Sequence, residues 1–170
     1  GINWARSLEV GFRAMAWLWA LHLVRDSAAA TPALYARALQ YLDVHARHLE
    51  RHLSTWFSPN THLTGEALAL VHLGVILPEL RGAARWREQG LAVLHEWFPR
   101  QVHADGTYFE QATQYHRYTT EFVAHLVALG EANGVALADH VRPTLDRLFD
   151  HLLHVTQPDG TIPLVGDDDG

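Results

Sequence analysis

The segment Ser58-Pro59-Asn60-Thr61-His62-Leu63-Thr64-Gly65-Glu66 ends one long apolar pattern and opens another. A second segment lies in the corresponding place two helical patterns later: Asp105-Gly106-Thr107-Tyr108-Phe109-Glu110-Gln111-Ala112-Thr113-Gln114-Tyr115-His116. Both carry turn residues, which indicates that each is a loop leading into a new helix. Helix packing alone does not require Asn, His, Tyr, Glu and Gln to gather at such places. The two segments therefore predict both the helical framework and a functional site.

Apolar periodicity predicts six helices. Their approximate extents are residues 4–25, 31–53, 63–77, 83–98, 118–132 and 137–155. Thr31-Pro32 is an N-cap followed by proline in the first turn, and Asn133-Gly134 is typical of a left-handed C-cap. The first helix carries one apolar stripe of Leu8, Phe12, Met15, Trp19 and Leu23. Its residues 15–24 are the most apolar run of the chain and predict a buried helix. Residues 107–109 and 161–165 are short strand candidates after Asp-Gly turns.

The connections between these helices alternate in length. Short turns join the first helix to the second, the third to the fourth and the fifth to the sixth, whereas longer loops follow the second, fourth and sixth. Two of the longer loops carry Asp-Gly-Thr, at residues 105–107 and 159–161, which lie 54 positions apart. This spacing indicates a weak repeat of the size of one helical hairpin. Every second connection of an up-and-down helix series falls at the same end, so we expect the long loops and both polar segments to share one face.

The pattern as a whole predicts an all-α fold in a single helical domain over residues 1–170. Antiparallel helical hairpins of this size predict an arc of an α/α toroid. Such an arc is a concave surface, which suits a long ligand. A compact six-helix bundle is the alternative.

Composition excludes several classes of function. The 170 residues are 48% hydrophobic, enough for one domain with a core. The net charge is -6, and the absence of a basic run argues against nucleic acid as a partner. All 13 positive residues are arginine, which suits bidentate contact with carboxylate or sulfate. There is no cysteine, hence no disulfide or thiolate, and no apolar stretch reaches the roughly 18 residues of a membrane helix.

Asn60, His62 and Glu66 are the first candidate site residues. Asn60 is interpretable as a helix N-cap or as an amide that faces a ligand. His62 and Glu66 are four positions apart and so share a helix face, where the carboxylate could orient the imidazole.

Tyr115, His116 and Arg117 are the second group. In one interpretation, Tyr115 packs in a core while His116 and Arg117 are solvated. In the other, all three residues belong to a site. The adjoining polar stretch of Glu110, Gln111 and Gln114 favours a site.

Histidines and tryptophans offer weaker signals. His45, His48 and His52 have a metal-like spacing, but the charged residues beside them favour a solvated, outer-face role. No H-E-x-x-H, G-x-S-x-G or Gly-rich phosphate motif occurs. Most tryptophans fall at core spacing, whereas Trp4 and Trp56 lie near helix ends and could stack on sugar rings. Glu9 and Arg13, four apart in an apolar helix, suggest a buried ion pair or a substrate clamp.

Several motifs occur in an order and spacing shared with a known family. They are Asn3-Trp4, Glu9-Val10-Gly11-Phe12-Arg13, Trp17, Asn60-Thr61-His62, Glu66, Asp105-Gly106-Thr107, Glu110-Gln111, Tyr115-His116 and Gly166-Asp167-Asp168-Asp169. The pattern resembles the heparinase II/III-like polysaccharide lyases over nearly the whole chain. The resemblance implies an incomplete α/α toroid, of which this chain is the middle or latter part. It also implies a C-terminal β-sandwich domain that this chain lacks.

The resemblance further implies cleavage of a uronic-acid polysaccharide, such as heparan sulfate, alginate or a bacterial exopolysaccharide, by β-elimination. Tyr115 matches the family's catalytic tyrosine, and Asn60 and His62 match the segment that faces the substrate carboxylate. Many relatives have a second Asn before the His, where this chain has Thr61. The residues implied in substrate binding are Trp4, Glu9, Arg13, Glu66, Gln111, His116 and Arg117.

The partner implied by the resemblance is an acidic polysaccharide, with no nucleic acid and no membrane. No cofactor is expected in this chain, and a structural metal would belong to the part outside it. Relatives are often exported bacterial proteins, so a periplasmic or secreted location is expected.

The residue types suit this chemistry. Amide and imidazolium donors stabilise the charge that develops on the substrate carboxylate. A tyrosine can act as base or as acid, and Arg117 or a protonated His116 nearby would favour its ionised form. The alternatives are a non-catalytic glycan-binding toroid and a glycoside hydrolase, which would need two carboxylates from Glu66, Glu110 and Asp167.

Overall fold

The computed structural model describes residues 4–167. Its six α-helices are α1 (Ser7–Leu23), α2 (Pro32–Arg51), α3 (Thr61–Ile76), α4 (Ala83–Gln101), α5 (Thr113–Asn133) and α6 (Val141–Val155). Residues 4–167 contain no strand, so the all-α prediction is confirmed. The two strand candidates are wrong: Tyr108 forms only an isolated antiparallel bridge with Val102, and residues 161–165 are irregular. None of the helices described is long and apolar enough to cross a membrane.

The chain forms two compact units, Gly1–Leu91 and Ala92–Gly170. The core of the first unit lies where α1, α2 and α3 meet. Its fully buried aliphatic members include Val10, Leu42, Leu49, Leu70 and Leu73.

The apolar stripe predicted for α1 is wrong. The helix buries its small-residue face instead: Val10, Gly11, Ala14 and Leu18 are buried. A Cβ on Gly11 would lie 3.1 Å from the Cβ of Ala69 in α3, which shows how closely the two helices approach. Of the larger apolar residues, Met15, Trp17 and Leu21 are partly buried against the core. Trp19 and Leu23 are 54% and 77% exposed, so residues 15–24 are not the buried helix that their composition predicts.

Helix α3 is the most deeply buried element of the first unit. Every residue from Thr61 to Gly74 is buried except His62, which is half-buried. Helix α4 approaches this helix at a glycine: a Cβ on Gly74 would lie 2.4 Å from the carbonyl oxygen of Ala83. A helix that is apolar on all sides needs neighbours on all sides, and small residues let those neighbours come close.

In the second unit, α5 and α6 form an antiparallel hairpin. Gly134 follows α5 at φ 64°, so the predicted left-handed C-cap is confirmed. Helix α5 begins at Thr113, five residues before the predicted start, which places Tyr115 in its first turn.

The weak repeat at 105–107 and 159–161 corresponds to two turns with the same hydrogen bonds. The Asp105 carboxylate accepts from the amide and hydroxyl of Thr107 at 3.0 and 2.7 Å. Asp159 does the same for Thr161 at 2.9 and 2.7 Å. The glycine between them has φ 84° in both turns.

We expect Gly74→Ala to lower the free energy of unfolding by about 1–3 kcal/mol, although alanine favours helix. The new methyl group would meet backbone atoms, the carbonyl oxygen of Ala83 at 2.4 Å and the amide nitrogen of Arg87 at 2.7 Å, which cannot rotate away. Gly11→Ala is the matched control, because its nearest contact is a side-chain methyl group. Urea denaturation measures both. A Gly74→Ala variant as stable as the parent would contradict this account.

Candidate active site

Asn60 and His62 are held together at the start of α3. Asn60 is the N-cap, and its Oδ1 accepts from the backbone N–H of His62 at 3.1 Å. The same oxygen lies 3.1 Å from Nδ1 of His62. An amide oxygen can only accept, so Nδ1 carries the proton and Nε2 is the nitrogen available for chemistry. The N-cap interpretation and the site interpretation of Asn60 are therefore compatible.

Glu66 does not contact His62 as the sequence spacing suggests. Its side chain is buried, and its two oxygens accept from the backbone N–H and the hydroxyl of Ser54, both at 2.7 Å. Burial raises the pKa of Glu66, while the hydrogen bonds from Ser54 oppose that rise. The carboxylate thus fixes the loop between α2 and α3. Trp56 and Phe57 on that loop are 96% and 95% exposed.

Thr61 is buried at the first position of α3. Asn60, which carries the side-chain amide of this pair, is half-buried.

Tyr115 lies in the first turn of α5, within the second unit. Its hydroxyl donates to Oδ2 of Asp167 at 3.3 Å, and its ring centroid is 6.3 Å from that of Tyr118. Tyr115 is half-buried, so it is neither a core residue nor a fully solvated one. The carboxylate partner fixes the direction of the phenolic O–H.

The segment that carries Asp167 is docked against the start of α5. Thr113 N–H donates to the carbonyl of Val165 at 2.9 Å, and Val165 N–H donates to the Thr113 hydroxyl at 3.2 Å. Gly166 has φ 77°, and a Cβ there would lie 2.6 Å from the carbonyl oxygen of Gln111. Gln111 itself has φ 55°, a left-handed conformation that is uncommon outside glycine. Strain of this kind persists where the surrounding contacts enforce it.

His116 does not stand beside Tyr115 as a cation, contrary to the sequence-based expectation. It is buried, and its Nε2–H donates to the carbonyl of Leu148 in α6 at 3.1 Å. Burial, more than the nearby His151 at 4.6 Å between ring centroids, lowers the pKa of His116. The ring is therefore neutral at pH 7 and belongs to the contact between α5 and α6.

Arg117 and Gln111 are both exposed. A guanidinium nitrogen of Arg117 donates to the side-chain oxygen of Gln114 at 3.4 Å. Both residues can therefore reach a ligand on the surface of the second unit. Asn3, Asp168 and Asp169, which contribute to the resemblance, lie outside the residues that the structure describes.

Comparison with known proteins identifies the family. A family model described as Heparinase II/III N-terminus matches residues 1–169. The chain belongs to this family. The heparin-sulfate lyase of Pedobacter heparinus is 30% identical over 166 residues, and that of Bacteroides stercoris is 26% identical over 164 residues. Each alignment covers 95% of this chain and 24% of the relative, so the chain spans about a quarter of the curated relatives it matches.

Solved structures agree with the family. The crystal structure of heparinase III superposes with a TM-score of 0.83 at 24% identity, over 94% of this chain and 25% of that one. The heparan sulfate lyase HepC of Pedobacter heparinus gives 0.73 at 26% identity, over 93% and 25%. The fold is thus that of part of the α/α toroid of heparinase III, as predicted.

In this heparinase II/III-family chain, Trp4 and Arg13, which were expected to bind substrate, pack in a cluster with His45. Nε of Arg13 donates to Nε2 of His45 at 3.0 Å, and Nδ1–H of His45 donates to the carbonyl of Tyr41 at 2.6 Å. The Trp4 ring stacks on His45 at 5.0 Å. His45 is buried, so the outer-face role expected for it is wrong. Glu9 is exposed, so the buried ion pair suggested for Glu9 and Arg13 is wrong as well.

The spacing of His45, His48 and His52 does not correspond to a metal site. Among residues 4–167, no group of three His, Cys, Asp or Glu side chains could hold a metal ion. His45 uses both ring nitrogens in protein hydrogen bonds, and burial lowers its pKa.

The buried carboxylate gives a prediction about pH. The pKa of Glu66 is higher in the folded chain than in the unfolded chain. Protonation of Glu66 therefore stabilises the folded chain fully at pH values below the pKa of the unfolded chain. This stabilisation is lost as pH rises through the pKa of the folded chain. We expect the urea midpoint of the parent, relative to Glu66→Gln, to be higher at about pH 5 than at about pH 7. Exposed Glu79→Gln is the control. Equal differences at both pH values would show that desolvation of Glu66 does not govern its titration.

Proposed function

We propose that this chain contributes to a lyase that cleaves a uronic-acid polysaccharide by β-elimination, with a heparan sulfate-like polymer as the leading substrate. The proposal is supported by membership of the heparinase II/III family and by relatives named heparin-sulfate lyases. The structural observation that carries it is the fixed pair of Asn60 and His62, in which one imidazole nitrogen is protonated and the other is available.

The reaction needs a base, an acid and stabilisation of charge. A base removes the proton at C5, the electron pair of that C–H bond forms the C4–C5 double bond, and the C4–O4 bond breaks. The oxygen O4 leaves with that bond's electrons and takes a proton from the acid. The C5 proton is weakly acidic while the adjacent carboxylate is charged, so stabilising the enolate-like charge is the main task.

Asn60 and His62 are suited to that task. Oδ1 of Asn60 accepts from His62, and the side-chain amide is a group of the type that donates to a carboxylate through Nδ2. His62 offers Nε2, which accepts a proton when neutral and donates to the carboxylate when protonated. Removing one such donor from a preorganised site typically costs about 10²–10³ in rate.

Tyr115 is the proposed proton-transfer residue. Its hydroxyl donates to Oδ2 of Asp167 at 3.3 Å, which orients the phenolic O–H. A base must take the C5 proton, and the neutral Nε2 of His62 is the group we propose for this step. As the C4–O4 bond breaks, the phenol of Tyr115 gives its proton to the departing O4. Arg117, exposed two residues further on, remains a candidate substrate contact.

A non-catalytic glycan-binding role is the alternative, and one observation favours it. Trp56 and Phe57 are almost fully exposed on the loop before Asn60, and exposed aromatic rings are typical sugar-stacking surfaces. A hydrolase is disfavoured, because both oxygens of the buried Glu66 are engaged by Ser54.

Tyr115→Phe should abolish product formation and leave binding intact. The change removes the transferable proton but keeps the ring, so we expect a loss of about 10²–10⁴ in kcat. The measurement is ultraviolet absorbance of the unsaturated uronate, with the full-length protein on heparan sulfate, heparin, hyaluronan, chondroitin and alginate. Tyr118→Phe is the matched control. Binding of a polymer by the parent without any product would instead support the glycan-binding role.

Asp167→Asn should lower kcat about tenfold with little change in KM. The amide keeps the size of the side chain but accepts a weaker hydrogen bond than the carboxylate does, so it orients the phenolic O–H less firmly. If the contact were only structural, Asp167→Asn would lower thermal stability and leave kcat of the folded protein unchanged. Asp105→Asn is a control on a second loop carboxylate that accepts from a hydroxyl.

A further inference from the structure

A groove lies between the start of α1 and the last two turns of α2, within the first unit. Its volume is about 390 Å³. The residues that line it, called the α2 groove below, are Trp4, Val44, Arg47, His48, Arg51 and His52. Positions 44, 47, 48 and 51 share one face of the helix by spacing. None of the α2 residues belongs to the motifs that carry the family resemblance.

One wall of the α2 groove is aromatic. The ring of His48 meets the Trp4 ring edge-on at 5.2 Å and stacks on His52 at 4.5 Å. The Ser7 hydroxyl donates to the carbonyl of His52 at 2.8 Å and so ties the start of α1 to the end of α2. Burial is the largest cause of the lowered pKa of His48, which makes this ring a neutral aromatic surface at pH 7.

The charge on the α2 groove comes from two arginines. Arg51 is exposed, and Arg47 is half-exposed and paired with Asp43. The other nearby acid, Glu50, is engaged elsewhere, by Arg85 and by the indole N–H of Trp86 at 3.3 Å. The groove therefore has a local excess of guanidinium on a chain whose net charge is -6.

The location of the groove relates it to the candidate active site. Helix α2 ends at Arg51 and α3 begins at Thr61, so the groove and the Asn60 N-cap lie at the same end of the antiparallel helices of this unit. A long polymer that reaches Asn60 has further sugar units on either side of it. One of these can lie over the neighbouring helix end.

We propose that the α2 groove is an accessory saccharide subsite, in which Arg47 and Arg51 bind a sulfate or carboxylate and the Trp4–His48–His52 wall packs against the sugar ring. The planar guanidinium group matches both anions in bidentate geometry. The proposal rests on the proposed function, because it takes the ligand to be the same anionic polysaccharide. It accounts for the two arginines that line the groove beside these rings.

The test uses the full-length protein in a Tyr115→Phe background, so that ligand binds without turnover. Calorimetry measures the dissociation constant of a heparan sulfate oligosaccharide and of its chemically desulfated counterpart, which retains the carboxylates. The variant is Arg47→Gln with Arg51→Gln. The matched control is Arg25→Gln with Arg37→Gln, which removes the same charge from exposed positions in the same unit. Circular dichroism confirms that each variant is folded.

We expect the groove variant to bind the sulfated oligosaccharide about tenfold more weakly and the control variant to bind it normally. A loss confined to the sulfated ligand assigns the groove to sulfate, and an equal loss for both ligands assigns it to carboxylate. Equal weakening by the groove and control variants, or no weakening by either, would overturn the proposal. The parent protein could also form no unsaturated product while the groove variant still binds more weakly than the control. That result would refute the proposed lyase activity and support the saccharide subsite.

Discussion

Burial of α3 on nearly every side is the constraint on which the first unit depends. Neighbouring helices must approach it closely, which Gly11 and Gly74 permit. Each polar group within it must find a partner inside the fold. Glu66 finds Ser54, and Nδ1–H of His72 donates to the carbonyl of Leu68 at 3.0 Å. The first turn is the part of this helix where a polar side chain can face outwards.

The same logic explains where the candidate site residues lie. Asn60 caps α3, and Tyr115 lies in the first turn of α5. The backbone N–H groups at a helix start have no partner within the helix and give that end a partial positive charge. An anionic group is favoured at the start of a helix, whereas the backbone N–H groups further along the helix are already hydrogen-bonded. In each unit the candidate site residues thus lie at the start of a helix, and the rest of that helix packs against its neighbours.

Much of the fold could be predicted from the sequence because its signals are local. Periodicity gave six helices, and turn residues gave Asn60 and Gly134 as caps. The stripe on α1 was misjudged because large apolar residues are more conspicuous than the Gly and Ala that make close contact with α3. The start of α5 was placed late because its first turn is polar, and its conformation depends on a backbone partner, Val165, 52 positions away.

For the candidate site, too, the contacts between positions distant in sequence could not be predicted. The pairing predicted from spacing, His62 with Glu66, is wrong, and His62 is instead hydrogen-bonded to Asn60. The partners of Glu66, His116 and Tyr115 come from other elements. The contact of Tyr115 with Asp167 joins positions 52 apart, so no local pattern indicates it.

The two Asp-Gly-Thr turns are alike in hydrogen bonding and unlike in surroundings. A Cβ on Gly106 would lie 2.2 Å from the carbonyl oxygen of Arg147, whereas nothing lies within 4 Å of one on Gly160. Both positions need a residue that tolerates positive φ, but only the first also needs the absence of a side chain. Over evolutionary time the second turn is open to asparagine and the first is not. A repeat that began as two copies of one hairpin would therefore lose its sequence identity at one turn sooner than at the other, with no change in backbone.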